Sequence, residues 1–126
     1  GLHWIRLVTP TTDHKRLISV LQNTSGFVYY VSITGITGTH SADPETLKRA
    51  ITQLRKITDL PLAVGFGIKS SEQVHTVNEF AEAAVVGSAL VNKIRASLDD
   101  SGRPKAELCD NVIEFVQDLA SGTVRT

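Results

Sequence analysis

Short apolar runs alternate with stretches in which apolar positions recur every three or four residues, and this alternation occurs four times along the chain. Trp4-Ile5-Arg6-Leu7-Val8-Thr9 reads as a first strand, and Pro10-Thr11-Thr12-Asp13 as the turn after it, with Thr12 placed to cap a helix. Leu17, Ile18 and Leu21 fall on one helical face, and Gly26 offers the left-handed backbone common at helix exits. Phe27-Val28-Tyr29-Tyr30-Val31 is uncharged, β-branched and aromatic, as in a parallel strand covered on both faces. A two-glycine loop, Thr34 to Ala42, leads to Asp43-Pro44, which combines a good N-cap with a proline suited to the first helical position. Leu47, Ala50, Ile51, Leu54 and Ile57 mark the inner face of that helix.

Pro61-Leu62-Ala63-Val64 is the third strand, running into Gly65-Phe66-Gly67-Ile68-Lys69. Ser70 and Gln73 fit a capping box for a helix whose stripe is Val74, Val77 and Ala81. Ala83-Ala84-Val85-Val86 is the fourth strand, and Gly87-Ser88-Ala89 opens a helical segment reaching about Ile94. Asp99 to Pro104 reads as a surface break. The last helix places Leu108, Cys109, Val112, Ile113, Val116 and Leu119 on one face, which makes Cys109 a core thiol.

Four consecutive βα units imply parallel pairing with right-handed crossovers. A small doubly wound sheet and half of a (β/α)8 barrel both fit. A full barrel takes about 250 residues, so four units in 126 residues favour the half-barrel, with residues 1–126 as a single unit. The chain has no Met and begins Gly1-Leu2-His3-Trp4, which suggests a portion of something longer. Thirteen basic and thirteen acidic residues balance, which argues against a nucleic-acid binder. Apolar runs are too short for a membrane span, and a single Cys makes a reducing compartment, the cytoplasm, the default.

In such folds, ligands bind at the C-terminal ends of the strands. Gly65-Phe66-Gly67 follows the third strand, and Gly87-Ser88 follows the fourth at a helix start. Glycines allow close backbone approach, free N–H groups at a helix N-terminus attract anions, and the Ser88 hydroxyl adds a donor. The pair matches the phosphate site usual after the last two strands of a barrel. Tyr29 is placed either to line a pocket or to fill the core, and Phe66, between glycines at a strand end, to face a pocket mouth. The loop from Thr34 to Ala42 suits a lid. His3, His14, His40, His75 and Cys109 lack metal-ligand spacing. Glu45, Glu72, Glu79 and Glu82 read as solvated helix carboxylates, and no general acid–base pair stands out.

The ordered blocks Phe27-Val28-Tyr29-Tyr30-Val31-Ser32, Thr34-Gly35-Ile36-Thr37-Gly38, Leu60-Pro61-Leu62-Ala63-Val64-Gly65-Phe66-Gly67-Ile68 and Val85-Val86-Gly87-Ser88-Ala89-Leu90-Val91 resemble the tryptophan synthase α chain family. Pro10-Thr11-Thr12 resembles the loop after that family's fifth strand. The resemblance implies strands five to eight of a (β/α)8 barrel, the C-terminal half. It implies a lyase of tryptophan biosynthesis that cleaves indole-3-glycerol phosphate to indole and glyceraldehyde 3-phosphate without a cofactor. The implied partner is the β chain, which carries pyridoxal phosphate and receives the indole.

By the same resemblance, Gly38, Gly67, Gly87 and Ser88 hold the substrate phosphate, Thr37 supports the lid, and Tyr29 and Phe66 line the indole pocket. Ile33 departs from a common pattern in which Arg follows the serine. The family's catalytic Glu and Asp have no counterpart here, so the 126-residue chain is expected to be inactive alone. A half-barrel also leaves two sheet edges open, which predicts self-association. Two other readings compete: a non-catalytic, self-associating phosphate-binding module, and an isomerase barrel of histidine or tryptophan biosynthesis. The Thr34-Gly35-Ile36-Thr37-Gly38 segment favours the α chain over the isomerase.

Overall fold

A computed structural model describes residues 1–32 and 43–123. The order of elements is β1 (Arg6–Val8), α1 (His14–Leu21), β2 (Val28–Val31), α2 (Pro44–Arg55), β3 (Leu62–Gly65), α3 (Ser71–Asn78), β4 (Ala83–Ala84), α4 (Ser88–Ala96) and α5 (Leu108–Ser121). The four strands form one sheet in the order β1-β2-β3-β4, and each neighbouring pair is parallel. All four predicted βα units are therefore present.

The side-chain alternation of the strands decides between the two architectures. Val8, Val28, Tyr30, Leu62 and Val64 share one core cluster with Leu17 of α1, Leu47, Ile51 and Leu54 of α2, Val74 and Val77 of α3, and Leu119 of α5. The opposite parity runs through the register partners Leu7, Tyr29, Ala63 and Ala83. Leu7 on that row is 62% exposed, and Ala83 is also exposed. A doubly wound sheet covers both faces with helices and reverses its strand order. Helices on one face of a sequentially ordered parallel sheet are the barrel arrangement. The structure is a partial barrel.

Local hydrogen bonds start the helices much as the sequence predicts. Asp43 caps α2 through Thr46, with Pro44 in the first turn, and Ser70 caps α3 through the Gln73 amide. The Gln73 side chain reaches back to the Lys69 N–H at 2.7 Å rather than to the capping residue itself. Asp13, not Thr12, caps α1: its carboxylate accepts from the Arg16 N–H at 2.9 Å. Thr12 instead closes the preceding turn, its N–H bonding the Thr9 carbonyl at 3.0 Å. Gly26 adopts φ +81°, but α1 ends at Leu21 with a right-handed C-cap at Gln22, so the left-handed turn leads into β2 rather than out of the helix.

Four further expectations are corrected. Cys109 is exposed, because α5 turns that position away from the core. Only Leu119 of α5 is buried, whereas Ile113 and Val116 are 55% and 46% exposed. Ile18 on α1 is also exposed. Glu82 follows α3 and lies just before β4; its carboxylate pairs with Arg55 at the end of α2 and accepts from the Leu62 N–H at 2.8 Å. One carboxylate thus ties α2, β3 and β4 together at the strand starts.

Burial raises the Glu82 pKa, but the Arg55 and Leu62 hydrogen bonds outweigh it and leave the carboxyl below its ordinary 4.5. A depressed folded-state value means that the clamp contributes fully above the unfolded pKa and is lost as pH falls through the folded one. Thermal melts from neutral pH to pH 3 should show Glu82→Gln less stable at neutral pH and less sensitive to acid than the parent. Parallel acid limbs in the two proteins would contradict the clamp.

Candidate functional site

The ends of β2, β3 and β4 meet around a cavity of about 390 Å³ lined by Tyr29, Val31, Ser32, Gly65, Phe66, Gly67, Val85, Gly87 and Ser88. The cavity lies at the C-terminal mouth of the sheet. Two backbone bonds knit its base: Ser32 N–H to the Gly65 carbonyl at 2.9 Å and Val85 N–H to the Val64 carbonyl at 2.8 Å.

Its polar side comes from the two glycine-bearing turns. Gly67 sits at φ +81°, where an L side chain is strained, and a Cβ there would meet nothing within 4 Å. Gly67 is therefore demanded by backbone conformation rather than by packing. Gly87 precedes α4 at φ −123°, and no side chain caps that helix. The N–H groups of its first turn are intrinsically unpaired within the helix and carry the positive end of its dipole. Ser88, exposed, adds a hydroxyl at the same end. A Cβ on Gly87 would also meet open space, so both glycines border room for a ligand.

The apolar side comes from Tyr29, Val31, Phe66 and Val85. Tyr29 lies across Gly65: a Cβ built on Gly65 would fall 2.6 Å from the Tyr29 hydroxyl oxygen and 3.0 Å from its ring edge. Gly65 thus supplies the seat of this ring. Gly65→Ala should push the ring toward the cavity, cost about 1–3 kcal/mol by overpacking, and weaken ligands that need the aromatic wall. An unchanged melt together with unchanged ligand affinity would show that the ring moves aside freely.

Five sequence-predicted residues come together in this cavity: Tyr29, Phe66, Gly67, Gly87 and Ser88. Phe66 departs from expectation, being 6% exposed and part of the core cluster while it also lines the cavity. Thr37, Gly38 and the rest of the lid segment, residues 33–42, lie outside the described residues. Gly65 of the Gly65-Phe66-Gly67 loop lines the cavity too, as do Val31, Ser32 and Val85, to which the sequence does not point. Val31 shares strand parity with Tyr29, and that signal would have found it. No Asp or Glu lines the cavity among the described residues, and none of their His, Cys, Asp and Glu side chains form a metal-binding group of three.

Taken together, these features define a partial α/β barrel whose mouth sets two glycine-bearing turns and a helix N-terminus beside an aromatic wall. The family model for the tryptophan synthase alpha chain matches residues 1–123, and the chain belongs to this family. It is 53% identical over 117 residues to the tryptophan synthase alpha chain of Acidiphilium cryptum, covering 93% of this chain and 42% of that one. Among solved structures, the tryptophan synthase subunit alpha from Legionella pneumophila matches with a TM-score of 0.78 at 30% identity, over 98% of this chain and 43% of that one. The A-subunit from Pyrococcus furiosus matches with a TM-score of 0.74 at 31% identity, over 96% of this chain and 46% of that one. The chain spans less than half the length of these relatives. Among the described residues, no helix is long and apolar enough to cross a membrane.

Proposed function

We propose that this chain provides the phosphate end and part of the indole pocket of a lyase that splits indole-3-glycerol phosphate into indole and glyceraldehyde 3-phosphate. The reading rests chiefly on one observation: Gly67, Gly87 and Ser88 share a single cavity with Tyr29 and Phe66. The substrate has the same division, a dianionic phosphate at one end and a flat aromatic ring at the other. Backbone N–H groups and the α4 dipole hold the phosphate without requiring Lys or Arg. By the family resemblance, Gly38 supplies a further phosphate contact and Thr37 lid support, both outside the described residues. Tyr29 and Phe66 flank the indole.

In the reaction, the bond between indole C3 and the glycerol chain breaks. A proton is delivered to C3, and another leaves the adjacent glycerol hydroxyl, which becomes the aldehyde of glyceraldehyde 3-phosphate. No cofactor takes part on this chain. Binding and orientation lower the barrier but do not supply those proton transfers. The Glu and Asp that would supply them belong to strands outside residues 1–126, which form one half-barrel unit, the C-terminal half. The complete lyase acts in the cytoplasm and passes indole to a β chain, whose pyridoxal phosphate serves the next step.

The test is a paired measurement on the 126-residue chain. Calorimetry should detect binding of glyceraldehyde 3-phosphate, and an indole-release assay should show no turnover of indole-3-glycerol phosphate. Turnover above background would overturn the division of catalytic labour, and absence of phosphate-ester binding would overturn the cradle. A second reading, a non-catalytic anion-binding module, is favoured by the absence of carboxylates among the described cavity residues. Restored turnover on supplying the missing half-barrel in trans would exclude it.

A further inference from the structure

We infer that Thr9 is a specificity-determining residue of the proposed site, its hydroxyl reading the alcohol groups on the chain that joins the phosphate to the ring. This rests on the lyase reading above and deepens it. Thr9 follows β1 and opens the turn Thr9-Pro10-Thr11-Thr12. A residue before proline is held in extended backbone, so Thr9 continues the alternation of β1 beyond Val8. It falls on the row of Leu7, whereas Val8 belongs to the helix-covered core. In the parallel ladder Val8 stands opposite Tyr30, so Thr9 comes beside Val31. Val31 lines the cavity, and neighbouring strands lie about 5 Å apart. Thr9, half-buried, therefore stands at the β1 rim of the cavity mouth. That placement is fixed by β1 and β2 alone, whatever lies beyond the other edge of β1.

The hydrogen bonds of the turn leave a donor at that rim. Thr9 Oγ1 lies 2.9 Å from Thr11 Oγ1 and 3.3 Å from Thr12 Oγ1. Thr12 Oγ1 accepts from the Thr9 N–H at 3.2 Å, and the Thr12 N–H closes the turn on the Thr9 carbonyl at 3.0 Å. Three hydroxyls hold three protons, and their two mutual contacts use two of them. When Thr11 and Thr12 both donate to Thr9, the proton left over is that of Thr9, and its lone pairs are filled. The turn thus presents one hydroxyl donor, held in place by two others, beside a cavity with no charged side chain among its described lining residues. The phosphate is drawn instead to the α4 N-terminus, where Ser88 stands. The Tyr29 hydroxyl lies against Gly65. An acceptor between the two ends of the ligand falls to Thr9. Indole-3-glycerol phosphate carries a pair of adjacent alcohol groups there, so the ligand class is a phosphate ester of a vicinal diol.

Calorimetry on the 126-residue chain compares glycerol 3-phosphate, which carries the diol, with n-propyl phosphate, which lacks it. The parent should bind glycerol 3-phosphate about twofold to tenfold more tightly, the worth of one net hydrogen bond. Thr9→Val keeps the shape and removes the hydroxyl. It should bring glycerol 3-phosphate down to the affinity of propyl phosphate and leave propyl phosphate unchanged, while Thr9→Ser should restore the preference. A residue that merely holds the turn would weaken both esters alike in Thr9→Val, and that result would overturn the inference. So would a preference that survives Thr9→Val. The Thr9 methyl NMR signal of the parent gives a readout without substitution: it should move with glycerol 3-phosphate and much less with propyl phosphate, and equal movement would count against Thr9. Equal affinity of the parent for the two esters sinks this inference and leaves the phosphate cradle standing. Binding of neither ester overturns the cradle and this inference with it.

Discussion

Ser88→Asp is expected to weaken phosphate-ester binding roughly tenfold to a hundredfold while leaving the fold intact or slightly more stable. Ser88 is the first residue of α4, whose N-terminus has no side-chain cap. A carboxylate there is attracted by the helix dipole, which is worth about 0.3–1 kcal/mol to the folded state. The same charge repels an incoming phosphate. Two unit charges about 4 Å apart interact by about 4 kcal/mol at an effective dielectric near 20. Exposure of Ser88 reduces that figure, leaving about 1–3 kcal/mol, a loss of roughly tenfold to a hundredfold in affinity. Calorimetric titration with glyceraldehyde 3-phosphate, together with a thermal melt, separates the two effects. Undiminished binding by Ser88→Asp would show that the anion does not sit at α4.

The second large effect is structural and lies away from the cavity. Gly122→Ala should lower stability by about 3 kcal/mol, a large part of the roughly 5–15 kcal/mol available to a domain of this size. Gly122 ends α5 where it crosses α3. A Cβ there would lie 2.1 Å from the Ser71 carbonyl oxygen, 3.0 Å from the Ser71 carbonyl carbon and 3.0 Å from Val74 Cβ. The obstacle is helix backbone, which cannot swing aside as a side chain can. Its φ of −69° is open to any residue, so the penalty is steric. Parting the two helices also strains the Asn78 amide bond to the Gly122 carbonyl at 3.3 Å. The expected readout is a melting temperature about 10 °C lower or more. A melt within a degree of the parent would show that the α3–α5 crossing yields easily.

These two positions differ in how far the sequence exposes them. The position of Ser88 is legible because it is local: a serine behind a glycine at the start of a helix, following a strand. Asp43 and Ser70 are legible for the same reason, since a cap is a hydrogen bond between residues three apart. Gly26 and Gly67 are also readable, as breaks in pattern where positive φ turned out to be needed. Gly122 looks like any other glycine in the chain, and the glycine loop that contains Gly65 gives no sign that Gly65 seats a ring. Their importance comes from Ser71 and from Tyr29, which lie far off in sequence and meet them only when helices cross or strands pair.

Helix faces show the same division. The apolar spacing of α5 predicts one buried stripe, yet Leu119 alone is buried and Cys109, Ile113 and Val116 are exposed. Periodicity identifies which residues share a face, but it carries no information on how much of that face finds a partner. Glu82 shows the converse: an acidic residue that sequence assigns to solvent is held by Arg55 and the Leu62 amide.

The amino-acid sequence by itself determined the βα rhythm, the parallel pairing it implies, the caps at Asp43 and Ser70, and the glycine turns at Gly67 and Gly87, because each depends on contacts within a few residues or on alternation along one strand. Only the tertiary structure decided that helices cover a single face of the sheet, that Tyr29 rests on Gly65, and that Gly67, Gly87 and Ser88 border one cavity. Those outcomes depend on strand register and helix crossing, in which residues tens of positions apart compete for the same space.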